Sequence, residues 1–409
     1  NDERFVMKGR NGFALVGLVA LVVGACSERL AAPAPCKEPC LAAPQLVQDT
    51  IAPLDGADSS FAGYILRDHE LTILVSNGLP AADDRAYVRF VPRATFIVLG
   101  SDTTTDTLAY TVDSVAFRFN LVVRDTLALG DTLYLYQLAP TVDSTVEYPE
   151  IQAGVTDPTK LLASIPIPDS VHSGILQTVL TGPDLARLQI PVADSGKLSI
   201  GLRLGGPSAT GVILSGGLAA NSPLWASFVT ADTADTLVQH QIMSRAGFLT
   251  GTRAAAPVVP DNDHITLGGI PSSRAIFRFE LPKRITDTGT VVKAKLILIP
   301  IAPINGLPHV SARVAARNAL TDLGRKSPVS SILVLSDSLN FGTSDTVSLP
   351  VTTLVRSWGG TIDLPHILVV SLNEEGGSFA QPIFGSTRTP GFEPRLIVTY
   401  SLPYIFSRP

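Results

Sequence analysis

The sequence predicts an all-β protein made of two tandem β-sandwich domains, and three observations carry that expectation. From about Gln45 onward short runs alternate apolar and polar residues, with no helical periodicity of any length. Clusters of Gly, Pro, Asn and Asp separate the runs, as hairpins and crossovers require. One string occurs twice, RAYVRF at residues 85–90 and RAIFRF at residues 274–279. Each copy follows a turn, Gly78-Leu79-Pro80 or Gly269-Ile270-Pro271.

Composition narrows the function classes. The chain has 409 residues, enough for two or three domains, and its 45% hydrophobic content describes an ordinary buried core. Its 31 basic and 36 acidic residues are mixed along the chain to a net charge of −5, and no basic stripe is present. That argues against nucleic acid as a partner.

The first element is an address. Residues 7–26 read MKGRNGFALVGLVALVVGAC, with Lys8 and Arg10 ahead of an uncharged apolar run from Phe13 to Ala25. The run is shorter than the roughly 20 residues a membrane helix needs, and it suits a signal peptide over residues 7–25. Met7 reads as the translation start. The closing Val23-Gly24-Ala25-Cys26 resembles the lipobox of bacterial lipoproteins. That resemblance implies cleavage before Cys26, acylation of its thiol, and the lipid bilayer as a partner through that anchor. Ser27 after the cysteine resembles an outer-membrane sorting signal, so the expected location is the cell envelope, lipid-anchored at the outer membrane. Residues 26–44 are rich in Pro and Ala and read as a semi-rigid spacer. Cys36 and Cys40 within it are candidates for a small disulfide loop in an oxidising compartment.

The strand runs follow in order. The first half carries residues 71–75 (LTILV), 86–90 (AYVRF), 115–119 (VAFRF), 132–136 (TLYLY) and 198–204 (LSIGLRL). The second half carries residues 275–279 (AIFRF), 294–299 (AKLILI), 366–370 (HILVV) and 395–400 (RLIVTY). Five blocks recur in one order. RAYVRF matches RAIFRF, residues 112–119 match 291–298, and 181–187 match 350–356 as one short helical turn. Residues 200–204 match 368–372, and 223–229 match 394–400. A tandem duplication explains this order, with domains expected at residues 45–230 and 231–402. The first copy is longer between its first two blocks, where Asp102-Thr-Thr-Thr-Asp106 reads as a longer hairpin.

The second copy resembles the DNRLRE-domain family of secreted bacterial and archaeal proteins. The resemblance is carried by RAIFRFELP at residues 274–282, by Trp358 after the short helix, and by EPRLIVTY at residues 393–400. It covers residues 260–402 directly and 60–230 through the internal repeat. The first copy departs from it, with Leu224-Trp225 where the family has Arg-Leu and Leu188 at the helix-Trp position. The family implies a jelly-roll-like β-sandwich. Some of its members bind polysaccharide, and many build surface or fibrous proteins.

No catalytic pattern stands out. The six His are scattered singly, without H-E-x-x-H, a G-x-S-x-G elbow or a phosphate loop. The expectation is therefore a protein that is not an enzyme and needs no cofactor. Asp261-Asn262-Asp263-His264 concentrates oxygen ligands, making Asp261 and Asp263 candidates for a structural Ca²⁺, against the alternative of an ordinary polar turn. Tyr134 and Tyr136 share one face of a strand and are candidates for a glycan platform. Trp225 and Trp358 are open to the same role, although Leu354 at helical spacing makes Trp358 a core anchor. Arg89 and Arg278 close the repeated string on its non-core face, where they are expected to pair with acidic neighbours or loop carbonyls. The functional expectation is a non-catalytic envelope lipoprotein binding polysaccharide or matrix. A ligand-free scaffold and an accessory part of a polysaccharide-degrading system are the alternatives.

Overall fold

The computed structural model describes residues 45–63, 71–79, 83–92, 96–99, 106–189, 197–217, 221–232, 237–255, 261, 263–308, 310–360 and 362–402. The expected signal peptide and spacer, with Cys26, Cys36 and Cys40, lie outside these residues. The chain from Leu46 onward forms one compact unit. Among the described residues no helix is long and apolar enough to cross a membrane.

The strands of the first half are β1 (Leu46–Ile51), β2 (Ser59–Ala62), β3 (Thr72–Asn77), β4 (Asp84–Phe90), β5 (Ile97–Leu99), β6 (Asp106–Leu108), β7 (Tyr110–Arg124) and β8 (Thr132–Gln137). Helix α1 (Tyr148–Thr156) follows, then β9 (Leu161–Pro166), β10 (Gly174–Thr181), α2 (Gly182–Arg187), β11 (Leu198–Gly205), β12 (Thr210–Ser215) and β13 (Leu224–Asp232). The long β14 (Leu237–Ala254) leads to β15 (His264–Thr266), β16 (Ser273–Arg278), α3 (Lys283–Thr286), β17 (Thr290–Leu298) and β18 (Arg313–Asn318). Next come β19 (Val334–Ser338), β20 (Val347–Leu349), α4 (Thr352–Ser357), β21 (Ile367–Leu372), β22 (Ile383–Gly385) and β23 (Arg395–Ser401). Every run read from the sequence falls on a strand to within one residue at its ends, and both predicted helical turns form, as α2 and α4. Helix α1 is an addition.

All the strands pair antiparallel and build two sandwiches. One layer of the second sandwich has the order β1-β23-β17-β20, and the other β19-β18-β21-β16-β2. In the first, β14-β13-β7-β10 faces β14-β4-β11-β8-β9, because β14 bends from one layer into the other. Its residues 237–245 pair with β13 and its residues 246–254 with β4. With β2 set aside, each sandwich shows the four-plus-four strand order of a jelly roll. Short pairs, β3–β12 and β15–β22, flank the two bodies at equivalent places.

The duplication extends to register. Ala86 pairs with Leu202 as Ala275 pairs with Val370. Trp225 opposes Phe117 as Leu396 opposes Leu296. Both ladders then shift at the same place, so that Val229 meets Val112 and Tyr400 meets Val291. A bulge repeated at one position is a designed bend, since the extra residue increases the local twist. Strand β5 pairs with β6, from Ile97↔Leu108 to Leu99↔Asp106, and residues 102–105 of the expected longer hairpin lie outside the described residues.

Strand pairing divides the chain differently from the expected boundaries at residues 45–230 and 231–402. Strand β1 lies along β23, from Leu46↔Ser401 to Ile51↔Leu396, and β2 lies along β16. The first 17 described residues after Gln45 thus complete the second jelly roll. The matching place in the first is taken by β14. Each repeat therefore donates its leading strands to the other. Alternation within a strand reveals which face is buried, but not which of two related sheet edges the strand will join.

The cores follow from the alternation. In β4 the side chains of Ala86, Val88 and Phe90 are buried in one core, and in β16 Ala275 and Phe277, followed by Phe279, are buried in the other. Phe90 packs against Trp225 at 6.2 Å between ring centroids, and Phe279 packs against Trp358 at 6.2 Å. Trp225 also stacks on Phe117 at 6.5 Å and 15°. The indole Nε1 of Trp358 donates to Asn318 Oδ1 at 3.1 Å, which satisfies its polar edge inside the core.

Candidate functional site

The strand arginines act as clamps. Arg278 makes a bidentate pair with Asp322 at 2.7 and 2.8 Å, and its third nitrogen donates to the Ala57 carbonyl at 2.7 Å. That pairing holds the Asp322 carboxyl below the usual carboxylate range. Arg89 donates to the Pro140 carbonyl at 2.7 Å. Asp322 follows β18 and Pro140 follows β8, so each arginine fastens the same connection of its own jelly roll. The planar guanidinium of Arg278 suits its bidentate hold on Asp322.

The structure departs from one sequence candidate, the Tyr134–Tyr136 platform, and gives the core alternative for Trp358 and the turn alternative for Asp261. Tyr136 is buried, 4% exposed, under helix α1, and shares a small core with Tyr87, Leu138, Ile151 and Val155. Tyr134 is half-buried, and the Arg203 guanidinium lies over both rings at 5.1 and 5.7 Å. The pair is therefore no open glycan platform, because a nine-residue helix roofs the strand face that alternation alone leaves outward. Trp225 and Trp358 are core residues. At the candidate Ca²⁺ site, Asp261 Oδ1 accepts from the backbone of Asp263 and His264, and its Oδ2 lies 2.8 Å from His264 Nδ1. Its oxygens close a local turn. Asp263 lies 3.9 Å from the Arg388 guanidinium. No group of three or more metal-ligating side chains occurs among the described residues.

A buried polar knot occurs where the end of β14 meets β4 and α1. Asp84 is 3% exposed, and its amide donates to Ser76 Oγ at 2.7 Å, which returns a bond to Asp84 Oδ2 at 3.2 Å. Asp84 Oδ1 is buried without a hydrogen-bond partner among the described residues. Burial pushes the Asp84 carboxyl up to about 7, with the neighbouring Asp83 charge acting in the same direction. Arg85 meets Asp83 at 2.6 Å and Gln152 of α1 at 3.0 Å, and Tyr148 donates to Asp83 at 2.6 Å. These contacts dock α1 onto the strand. Asp84 and Arg85 are buried in the knot, while Asp83 and Tyr148 at its edge are half-buried.

Two of the open surfaces among the described residues carry polar groups beside apolar walls contributed by more than one element. A recess of about 670 Å³ lies on the seam between the jelly rolls. Leu79 and Ala209 come from the first body, and Ile304, Leu339 and Phe341 from the second, with Asn305, Asn340 and Ser311 as its polar groups. Leu307, Val310 and Phe379 pack across the seam on Leu74 and Ile213, which fixes the walls. Ile304 N donates to the Thr343 carbonyl at 2.8 Å and Gly342 N to Ile304 at 2.9 Å, tying two loops together. Gly306 lets the half-buried Phe341 ring lie against its backbone, since a Cβ there would meet the ring atoms. No carboxylate lines the recess among the described residues.

The second surface is a trough of about 90 Å³ on the outer face of β16, β21 and β18. Arg274 is held bidentate by Glu375 at 2.7 Å, and Arg317, Ser371 and Asn373 complete the rim above Val369. Arg317 occupies the position that Tyr136 holds in the first repeat, as the pairs Arg317↔Val369 and Tyr136↔Gly201 show. The first repeat roofs this face with α1, and the second leaves it open. Neither surface is legible in the sequence. The recess is shared between segments far apart in the chain, and the trough depends on what the first repeat covers.

No family model matches the chain, and no curated protein matches it. Among solved structures, the structure of infectious bursal disease virus Gx strain aligns with 90% of this chain and 79% of that chain at 9% identity. Its TM-score of 0.13 is too low to bear on the fold.

Proposed function

We propose that this chain is a non-catalytic cell-envelope lipoprotein that binds neutral polysaccharide in the recess between its two jelly rolls. One observation carries the reading. An aromatic ring, Phe341, sits beside two side-chain amides and a hydroxyl, Asn305, Asn340 and Ser311, in a recess of about 670 Å³ with no charged side chain among its described lining residues. Sugar rings present apolar C–H faces to aromatic rings and hydroxyls to amides. The volume lies within the range of about 300–1,000 Å³ usual for small-ligand pockets. Support also comes from the resemblance of residues 274–282 and 393–400 to a family with polysaccharide-binding members. The lipobox-like run ending at Cys26 supports a lipid anchor, placing the jelly rolls at the envelope.

The test is a glycan array probed with the intact chain and with Phe341→Ala. Binding of a neutral oligosaccharide that Phe341→Ala loses supports the reading. Absence of binding at high protein concentration overturns it. The strand exchange favours a second reading, a rigid two-body scaffold, because it joins the repeats by hydrogen-bonded ladders as well as by a linker.

A further inference from the structure

We propose that the segment β1–β2 is a donor for a second copy of this chain, so that copies join head to tail through the slot between β23 and β16. The slot is built to recognise one segment. Beyond the ladders, Asp49 takes a bidentate pair from Arg284 at 2.9 and 3.0 Å and a bond from the Tyr400 hydroxyl at 2.9 Å. Asp58 is 1% exposed and accepts from Thr387 N and Thr387 Oγ1, both at 2.7 Å. Ser60 Oγ accepts from Thr266 N at 3.2 Å, and Leu54 N donates to the Arg278 carbonyl at 2.8 Å. The side chains of Ile51 and Val47 complete the second core.

These contacts all reach the second jelly roll, whereas the chain continues from β2 into the first. Covalent continuity and non-covalent docking thus point to different bodies. The first repeat shows that the slot takes its strands from elsewhere in the sequence. There β14 fills it, and Thr252 Oγ1 accepts from Leu74 N at 2.9 Å as Ser60 accepts from Thr266. Exchange of an equivalent element between copies is a low-cost route to assembly. The contact is heterologous, since the donor of one copy meets the acceptor of the next, and repetition gives a ring where the rotation closes and an open chain where it does not. Within one copy the tether favours the closed form, at an effective concentration of about millimolar for a short link. Exchange between copies accordingly grows with concentration during folding.

The experiment uses the full chain. Isotopically heavy chain carrying Leu46→Cys and light chain carrying Ser401→Cys are unfolded together, refolded at increasing concentration, oxidised and mapped by mass spectrometry. Residues 46 and 401 are paired, and antiparallel neighbours about 4.5–5.5 Å apart at Cα are within disulfide reach. A heavy–light bond between positions 46 and 401 that rises with refolding concentration, and is suppressed by excess peptide 45–63, supports donation between copies. A control chain carrying both substitutions reports whether the slot forms at all. If the control closes its internal bond while the mixture shows no heavy–light bond at any concentration, the proposal is overturned. If the control does not close, the strand exchange itself is overturned, and the proposal with it.

Discussion

Tyr400, in the last strand, donates its hydroxyl to the carboxylate of Asp49 in the first strand at 2.9 Å, across 351 residues of chain. Tyr400 is fully buried up to that hydroxyl, and burial with the Asp49 bond raises its pKa. The bond marks the point where the start of one repeat closes the end of the other.

Tyr400→Phe is expected to destabilise the second jelly roll by about 1 kcal/mol, the net value of one hydrogen bond, with the ring packing retained. Asp49→Ala should cost more, about 1–3 kcal/mol, because it leaves the Tyr400 hydroxyl without its acceptor. Denaturant titration followed by a probe in the second half reads both. Equal effects would contradict the bond's role as the acceptor for a buried donor.

Thr252→Val and Ser60→Ala probe the exchange in its two copies. Each removes the hydroxyl acceptor of a buried backbone amide, Leu74 N in the first body and Thr266 N in the second. An orphaned buried donor costs about 1–3 kcal/mol, so both variants should lose stability of that order. Measured by equilibrium unfolding, a loss in one variant alone would show that the two joints are not equivalent.

Asp84 predicts a pH dependence. Its carboxyl lies at about 7 in the folded protein through burial, against about 3.9 in an unfolded chain. Between those values the folded state holds a proton that the unfolded state has released. Stability therefore falls as pH rises from about 4 to about 7 and levels off above. Asp84→Asn should flatten that slope and leave the variant more stable than the native chain above pH 7. Thermal unfolding of both across this window checks it, and parallel curves would contradict the assignment.

Much of this architecture is legible in the sequence. RAYVRF and RAIFRF mark equivalent strands, and the blocks matched by pattern pair in equivalent registers, bulge included. Local alternation and turn residues suffice there, because they report which face is buried. Two matters are not local. The edge that β1 joins depends on partners such as Arg284 and Tyr400 at the far end of the chain. The burial of Tyr136 depends on α1, whose Ile151 and Val155 are too few to stand out as an amphipathic run. The recess was illegible for the same reason, since Leu79 and Phe341 meet only once both bodies are assembled.

Two disulfide variants of the full chain test whether each repeat carries the other's leading strand. Leu46 lies opposite Ser401 of β23. Without exchange it would take the place of Gln239, opposite Thr230 of β13. Leu46→Cys with Ser401→Cys is expected to close an intrachain bond in the monomer, while Leu46→Cys with Thr230→Cys is not. Closure to position 230 and not to 401 would contradict the exchange.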